Sequence, residues 1–268
     1  MRKSKFLQLS YRFKILKKFY LFYNIYIRNR KYLNNGSQFG EDKFLYNLFE
    51  KNYVGKYLDV GCFHPTKHNN TSLFYKNGWQ GINIDLNSLA IDLFNFMRPN
   101  DININTAVSS EESEKTLFFL SENNTQNTLS ENQLLFLKKH HNLRDDEIIK
   151  KIIQTRRLDN ILKENNFDNI DFMNLDVEGH ELDVLKSGQK TLKKFKPLIH
   201  FELAPYLYRE YGYNTKKIIN FITKILGYEF FSEDFKKINN IREIANSITN
   251  RSENFFLIHK EKVNSLKL

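Results

Sequence analysis

The chain has 268 residues, 41% hydrophobic and 15% aromatic, with a single cysteine. That length suits one substantial core with an appendage and is cramped for two full domains, and the lone Cys62 excludes an intrachain disulfide and points to a reducing compartment. The formal net charge of +10 is local: ten basic residues and no acid precede Glu41, and the remaining 31 basic residues equal the 31 acids.

Residues 1–33 read as a helix, because Phe6, Leu9, Phe13, Leu16, Phe19, Tyr20 and Tyr23 recur at three- and four-residue steps between lysines and arginines. Such a face suits an anionic membrane surface, with rings at headgroup level and cations on lipid phosphates. It equally suits docking on the body of the protein or on a second subunit. A nucleic-acid footprint is disfavoured, since the rest of the chain has no basic surplus to extend it. No apolar run approaches the ~18 residues that span a bilayer. Arg12, Lys14, Lys17 and Lys18 interrupt any cleavable signal, so the sequence reads as cytoplasmic, at most peripheral on the inner face of the membrane.

Asn34, Asn35, Gly36 and Ser37 carry the turn chemistry of a linker. This divides the chain into an arm and linker, 1–36, and a body, 37–268. A helix over 41–49 leads into an apolar strand, 57–60, closed by Gly61. A second strand, 82–84, is closed by Asp85. In open α/β sheets the loops at the carboxyl ends of neighbouring strands form the ligand crevice, which sets Asp59 and Asp85 close together. The absent glycines discriminate between nucleotides. A dinucleotide fingerprint needs three, yet Phe63 and Thr66 occupy the second and third positions. A phosphate-free adenosyl ligand needs only the first glycine and an acid for its ribose, which favours S-adenosylmethionine over NAD. Cys62 is read as an inert thiol filling the turn.

Residues 88–97 read as a helix capped by Asn87 or Ser88 and stopped near Pro99. A third strand covers 102–108, and 116–120 suit a further strand or hairpin arm. The polar stretch 121–150 carries a short helix at 134–138, and the insertion 109–150 is a candidate substrate lid, although a plain surface excursion is commoner. Alternation then resumes with a helix at 158–162, a fourth strand at 171–176, a helix at 181–187 ending on Gly188, a fifth strand at 197–203, and a helix at 215–226 ending on Gly227. Strands at 228–231 and 255–259 close the chain, giving a mostly parallel sheet with one antiparallel edge. No internal repeat is evident.

Asp176, Glu178, His180 and Glu181 crowd a strand end beside Gly179. Acids there suit a sulfonium ligand, because fixed negative charge attracts a cation in a partly dry cleft. Carboxylates also favour a helix N-terminus, so Asp176 is expected to face the ligand and Glu181 to serve the helix.

These blocks together resemble the FkbM-type family of S-adenosylmethionine-dependent methyltransferases. The likeness runs from Ser37-Gln38-Phe39-Gly40-Glu41-Asp42 through Tyr57–Gly61, His64-Pro65, Asn70-Thr71, Gly78–Asp85, Ala107-Val108-Ser109 and Arg157-Leu158-Asp159 to Asp171–Glu181, most of residues 37–203. It implies a Rossmann-like class I methyltransferase fold, a seven-stranded mostly parallel sheet with helices on both faces, to which the basic N-terminal helix is added. It implies cofactor contacts at Asp59, Gly61 and Asp85, with Asn70 and Thr71 lining the site and Ala107 and Val108 beside the adenine. It also implies O-methylation, often of sugars in surface glycans. Leu86 stands where many relatives have proline, and the basic arm lies outside the shared region.

For removal of a hydroxyl proton, His180 is the first candidate, with Glu178 and Asp176 behind it; His64 and His200 are equally available by sequence. Asp176, Glu178 and Glu202 could give oxygen ligands to Mg²⁺, but no spacing enforces it, and a metal-free site is preferred. Two other classes compete with an O-methyltransferase: a nicotinamide-dependent sugar oxidoreductase, which conflicts with Phe63 and Thr66, and a non-catalytic membrane adaptor, which leaves the clustered acids unexplained.

Overall fold

The computed structural model describes residues 13–34, 36–37, 40–121, 127–210, 212, 214–248 and 251–263. Phe6, Leu9 and Arg12 of the arm, Asn35 of the linker, Gln38 and Phe39 of the first motif, and residues 122–126 of the insertion lie outside these.

Seven strands form one sheet. In chain order they are β1 (Lys56–Val60), β2 (Gln80–Asp85), β3 (Ile102–Asn105), β7 (Phe172–Leu175), β8 (Leu198–Leu203), β9 (Tyr228–Phe231) and β10 (Glu253–His259). Their spatial order is β3-β2-β1-β7-β8-β10-β9. The first five are parallel, and β10 runs antiparallel between β8 and β9. The antiparallel strand is therefore internal, not the edge expected from the sequence. Chain order cannot reveal this, because β10 is made last and inserts between two strands already named.

A second sheet contains β4 (Ala107–Val108), β5 (Glu114–Phe119) and β6 (Ile149–Arg156), in the order β4-β6-β5. The expected third strand is thus two strands in two sheets: β3 pairs with β2, while Ala107 and Val108 pair with Thr155 and Arg156. Strand β6 escapes a reading by alternation, because Ile149 and Ile152 are both exposed.

The sheet's two faces are covered differently. Leu58, Val60, Ile82, Ile84, Met173, Leu175, Ile199 and Phe201 share one buried cluster with α6 (Leu158–Glu164), α7 (Glu181–Ser187), α8 (Gln189–Phe195), α10 (Thr215–Asn220) and α11 (Ile241–Ser247). On the opposite face Tyr57, Phe172, Leu198 and Phe256 pack with Leu45 of α2 (Glu41–Asn47) and Phe74 of α3 (Ser72–Lys76). Gly81 is required there, since a Cβ would come within 2.1 Å of the Tyr57 ring.

Helix α4 (Ser88–Met97) starts where Asn87 accepts a hydrogen bond from the Leu89 amide. Against it packs the arm, α1 (Lys14–Phe22), continued by a π-helical turn over Tyr23–Arg28. Tyr20, Leu21 and Ile25 bury on Leu89 and Leu93, and Lys17 pairs with Asp92 at 2.7 Å. One side of the arm therefore docks on the body. Helices α5 (Glu131–His141) and α9 (Pro205–Glu210) complete the chain.

Candidate active site

The carboxyl ends of β1, β2, β7 and β8 open on a cleft of about 250 Å³, near the lower end of ligand-site volumes. Gly61 floors it at φ +85°, and a Cβ there would lie 1.7 Å from the carbonyl oxygen of Asp176. Only glycine lets the turn after β1 press against the end of β7. Phe63, His68 and Glu178 also line the cleft and hold φ near +50°, a costly conformation for side chains of their size. Such strain persists where the surrounding structure over-determines it, and here it gathers around a cavity.

Asp85 joins the first two loops. Its Oδ2 accepts the Phe63 amide at 2.9 Å and its Oδ1 the Asn87 amide at 2.7 Å. Burial raises its pKa to about 6 against these hydrogen bonds. The carboxylate is thus fixed in direction and still has lone pairs to offer a ligand hydroxyl.

Behind the cleft runs a row of polar residues in register across the central strands: Asn83, Asp59, Asn174 and His200. Asp59 is fully buried and accepts three hydrogen bonds, from Asn69 (3.0 Å), Thr71 (2.8 Å) and Asn174 (2.9 Å). Because a carboxylate only accepts, the Asn174 amide must turn its NH₂ to Asp59 and its oxygen to His200. That oxygen lies 2.9 Å from His200 Nδ1, and the Asn70 amide nitrogen, which donates to the same oxygen, lies 3.0 Å from Nδ1 as well. His200 Nε2 has no protein partner among the described residues, and the residue lines the cleft. Burial pushes the His200 pKa down to about 4, so the ring is neutral at pH 7.

The opposite wall is acidic. Asp176, Glu178 and Glu202 line the cleft, and Glu181 is buried beneath it at the start of α7. Burial and then mutual repulsion raise the pKa of Asp176 and of Glu178, burial raises Glu202, and Glu181 reaches about 8. Asp176 opens to cleft water although protein surrounds it on most sides. Glu181 accepts the amides of Gly179 (3.1 Å) and Val177 (3.3 Å), so it holds the turn that leads into α7. Among the described residues, no group of three His, Cys, Asp or Glu is placed to hold a metal ion.

Of the residues singled out from the sequence, Gly61, Asn70, Asp85, Ala107, Val108, Asp176, Glu178 and His180 all line this cleft. Asp59 and Thr71 are fully buried beside it, where they hold Asn69 and Asn174. His64 is structural, its Nδ1 accepting the amides of Thr66 and Lys67 and its Nε2 meeting Asn24 of the arm. Cys62 is buried with a thiol pushed up by that burial, which makes it inert.

Three residues were missed. Arg98, just past the end of α4, is fully buried and donates to Pro65, Asn69 and Thr71, so it clamps the loop that presents Asn69 and Asn70. Asn69 and Asn174 were passed over as ordinary polar residues. From the candidate lid, Asn127 and Leu129 reach the cleft.

The family profile described as the methyltransferase FkbM domain matches residues 59–230, more than half of the chain. A crystal structure of methyltransferase FkbM from Methylobacillus flagellatus is similar at 14% identity and a TM-score of 0.45. That alignment covers 95% of this chain and 58% of the other, so the chain spans little more than half the length of that protein. A search among curated proteins returned no match.

Proposed function

The chain belongs to the methyltransferase FkbM family, and from that premise we propose that it moves a methyl group from S-adenosylmethionine to an oxygen acceptor, a sugar hydroxyl of a surface glycan or its precursor. The observation that carries this reading is the wall of Asp176, Glu178 and Glu202 facing, across the bare floor of Gly61, the anchored carboxylate of Asp85. The set fits the cofactor: a wall of carboxyl groups that a bound cation would draw into their charged form, an acid for ribose hydroxyls, and the apolar Ala107 and Val108 for a flat base.

When bound, S-adenosylmethionine supplies an electrophilic methyl group on a positively charged sulfur. The chain's own residues do the rest by holding and by moving one proton. Asp85 orients, the acid wall attracts the positive charge, and Asn70 borders the acceptor end beside His200. Alignment of the acceptor oxygen supplies much of the acceleration in such a displacement.

For the proton, His180, Glu178 and Asp176 all stand on the acidic wall. We assign it instead to Nε2 of His200, which faces the cleft without a partner among the described residues and is the free base whenever Nδ1 donates to the Asn174 oxygen that Asp59 orients. His180 lies 3.7 Å from Asp183, at the residue before α7.

The test is turnover with labelled S-adenosylmethionine and fractionated sugar nucleotides or lipid-linked glycans, alongside calorimetry. His200→Gln should lower turnover about 10²- to 10⁴-fold while the heat of cofactor binding stays the same. If His180→Ala removes turnover and His200→Gln does not, the assignment passes to His180. Binding of a pyridine nucleotide, with no heat from S-adenosylmethionine or its demethylated product, would overturn the cofactor reading altogether.

A further inference from the structure

The arm has a second side that the body does not cover. Ile15, Phe19, Phe22, Tyr23, Tyr26 and Ile27 follow one another at steps of one, three and four, and all are exposed, Ile15 at 70% and Phe19 at 64%. The Phe22 and Tyr26 rings meet at a tilt with centroids 5.0 Å apart, which joins the two in one apolar patch. A helix with an unburied stripe opposite a buried one is built to contact two things. The mount is firm: Lys17 pairs with Asp92, Tyr20, Leu21 and Ile25 are buried on α4, and Asn24 reaches His64. This surface is therefore presented by the body, not trailed from it.

Charge identifies what covers it. Lys14, Lys18, Arg28, Arg30 and Lys31 are exposed along the same segment, and no acid occurs before Glu41. A second copy meeting this face about a two-fold axis would set the same cations against themselves, since an isologous interface repeats one patch on both partners. A nucleic acid would satisfy the cations but leave six large apolar side chains without an apolar medium. An anionic bilayer surface satisfies both, because acyl chains just below the headgroups take the rings and acidic headgroups meet the lysines and arginines. We propose that the exposed stripe of α1 and its π-helical continuation seats the protein on an anionic lipid surface, with α1 lying in the plane of the interface.

The experiment is flotation of the full chain with vesicles of phosphatidylcholine alone or with about 30% phosphatidylglycerol, combined with light scattering in the absence of lipid. The protein should float with the anionic vesicles, and high salt should reduce the bound fraction. The triple variant Phe19→Ser, Phe22→Ser, Tyr26→Ser should bind at least about 10-fold more weakly. Ile152→Ser, at an exposed apolar position on β6, should bind as the parent does. Lys14→Glu with Lys18→Glu leaves every apolar contact in place, so its loss of binding reads the electrostatic part even if the triple variant folds poorly. Failure to float with anionic vesicles overturns the proposal. So does undiminished flotation of the folded triple variant, or a dimer that the triple variant converts to monomer. None of these results depends on methyl transfer, so the family-based reading stands or falls separately.

Discussion

The two faces of the central sheet follow opposite rules. One is apolar along its whole length and aliphatic except at Phe201, with Leu58, Ile82, Met173 and Ile199 in one register row and Val60, Ile84, Leu175 and Phe201 in the row two residues on. The other starts apolar, with the aromatic Tyr57 and Phe172 beside Leu198, and becomes polar two residues later, at Asn83, Asp59, Asn174 and His200. Apolar contact is non-directional, so the first face holds the sheet together and tolerates changes that preserve volume. Hydrogen bonds are directional, so the second can fix which way a side chain points, at the cost of leaving every partner exposed to failure when one is removed. The difference teaches that the face which stabilises the fold and the face which sets up the site are separable by mutation.

The largest effect is expected where the faces meet. Gly61→Ala would drive a methyl group against the Asp176 carbonyl in a backbone conformation that disfavours it. A loss of at least about 4 kcal/mol should follow, or no folded protein at all. Thermal unfolding checks it, and a normally folded variant that binds S-adenosylmethionine would remove the claim that this turn must be bare.

The comparison itself is sharpened by a matched pair in β7. Met173→Ala leaves a cavity on the aliphatic face and should cost about 3 kcal/mol, with turnover per folded molecule unchanged. Asn174→Leu, branched at the same carbon, strips the polar atoms from the other face and should cost about 1–3 kcal/mol, because Asp59 loses a donor and Asn70 an acceptor. Its turnover should nonetheless fall about 100-fold or more, since the imidazole of His200 loses the side chain that orients it. Chemical denaturation and steady-state rates on the same samples separate the two. Equal effects on rate would show that the polar row is only packing.

The strands and the strand-end acids were legible because their signals are local. Leu58, Val60 and Gly61 announce a strand and its turn, and Asp85 and Asp176 close their own apolar runs. The polar row was also written in the sequence, as one polar residue inside each apolar run: Asp59, Asn83, Asn174 and His200. What could not be read was that these four align, since register is fixed by pairing between strands over 100 residues apart. The same limit hid the internal position of β10 and the role of Arg98, whose partners lie on a loop some thirty residues earlier. Nor can sequence alone tell whether a strand-end acid such as Asp59, next to a glycine turn, faces the cleft or the layer behind it, since the local signature is the same in both.

The smallest effect tests the acid wall and needs only pH. Glu181 is buried, and its folded pKa of about 8 lies above the ordinary glutamate value of 4.5. Below pH 4 both folded and unfolded chains hold the proton, and the group contributes nothing to the pH dependence. Between 4.5 and 8 the folded chain keeps a proton that the unfolded chain has lost, so stability falls as pH rises through this window and levels off above it. Glu181→Gln does not titrate and still accepts the Gly179 amide through its oxygen. It gives up the attraction of a carboxylate for the start of α7, and water entering from the adjoining cleft limits what the parent suffers on ionising. The variant should therefore match the parent near pH 4 and exceed it by about 2 kcal/mol at pH 9, read from unfolding midpoints across the range. If the acid wall instead gathers its charge around a bound cation, S-adenosylmethionine should narrow that gap at pH 9, and its demethylated, uncharged-sulfur product should narrow it less.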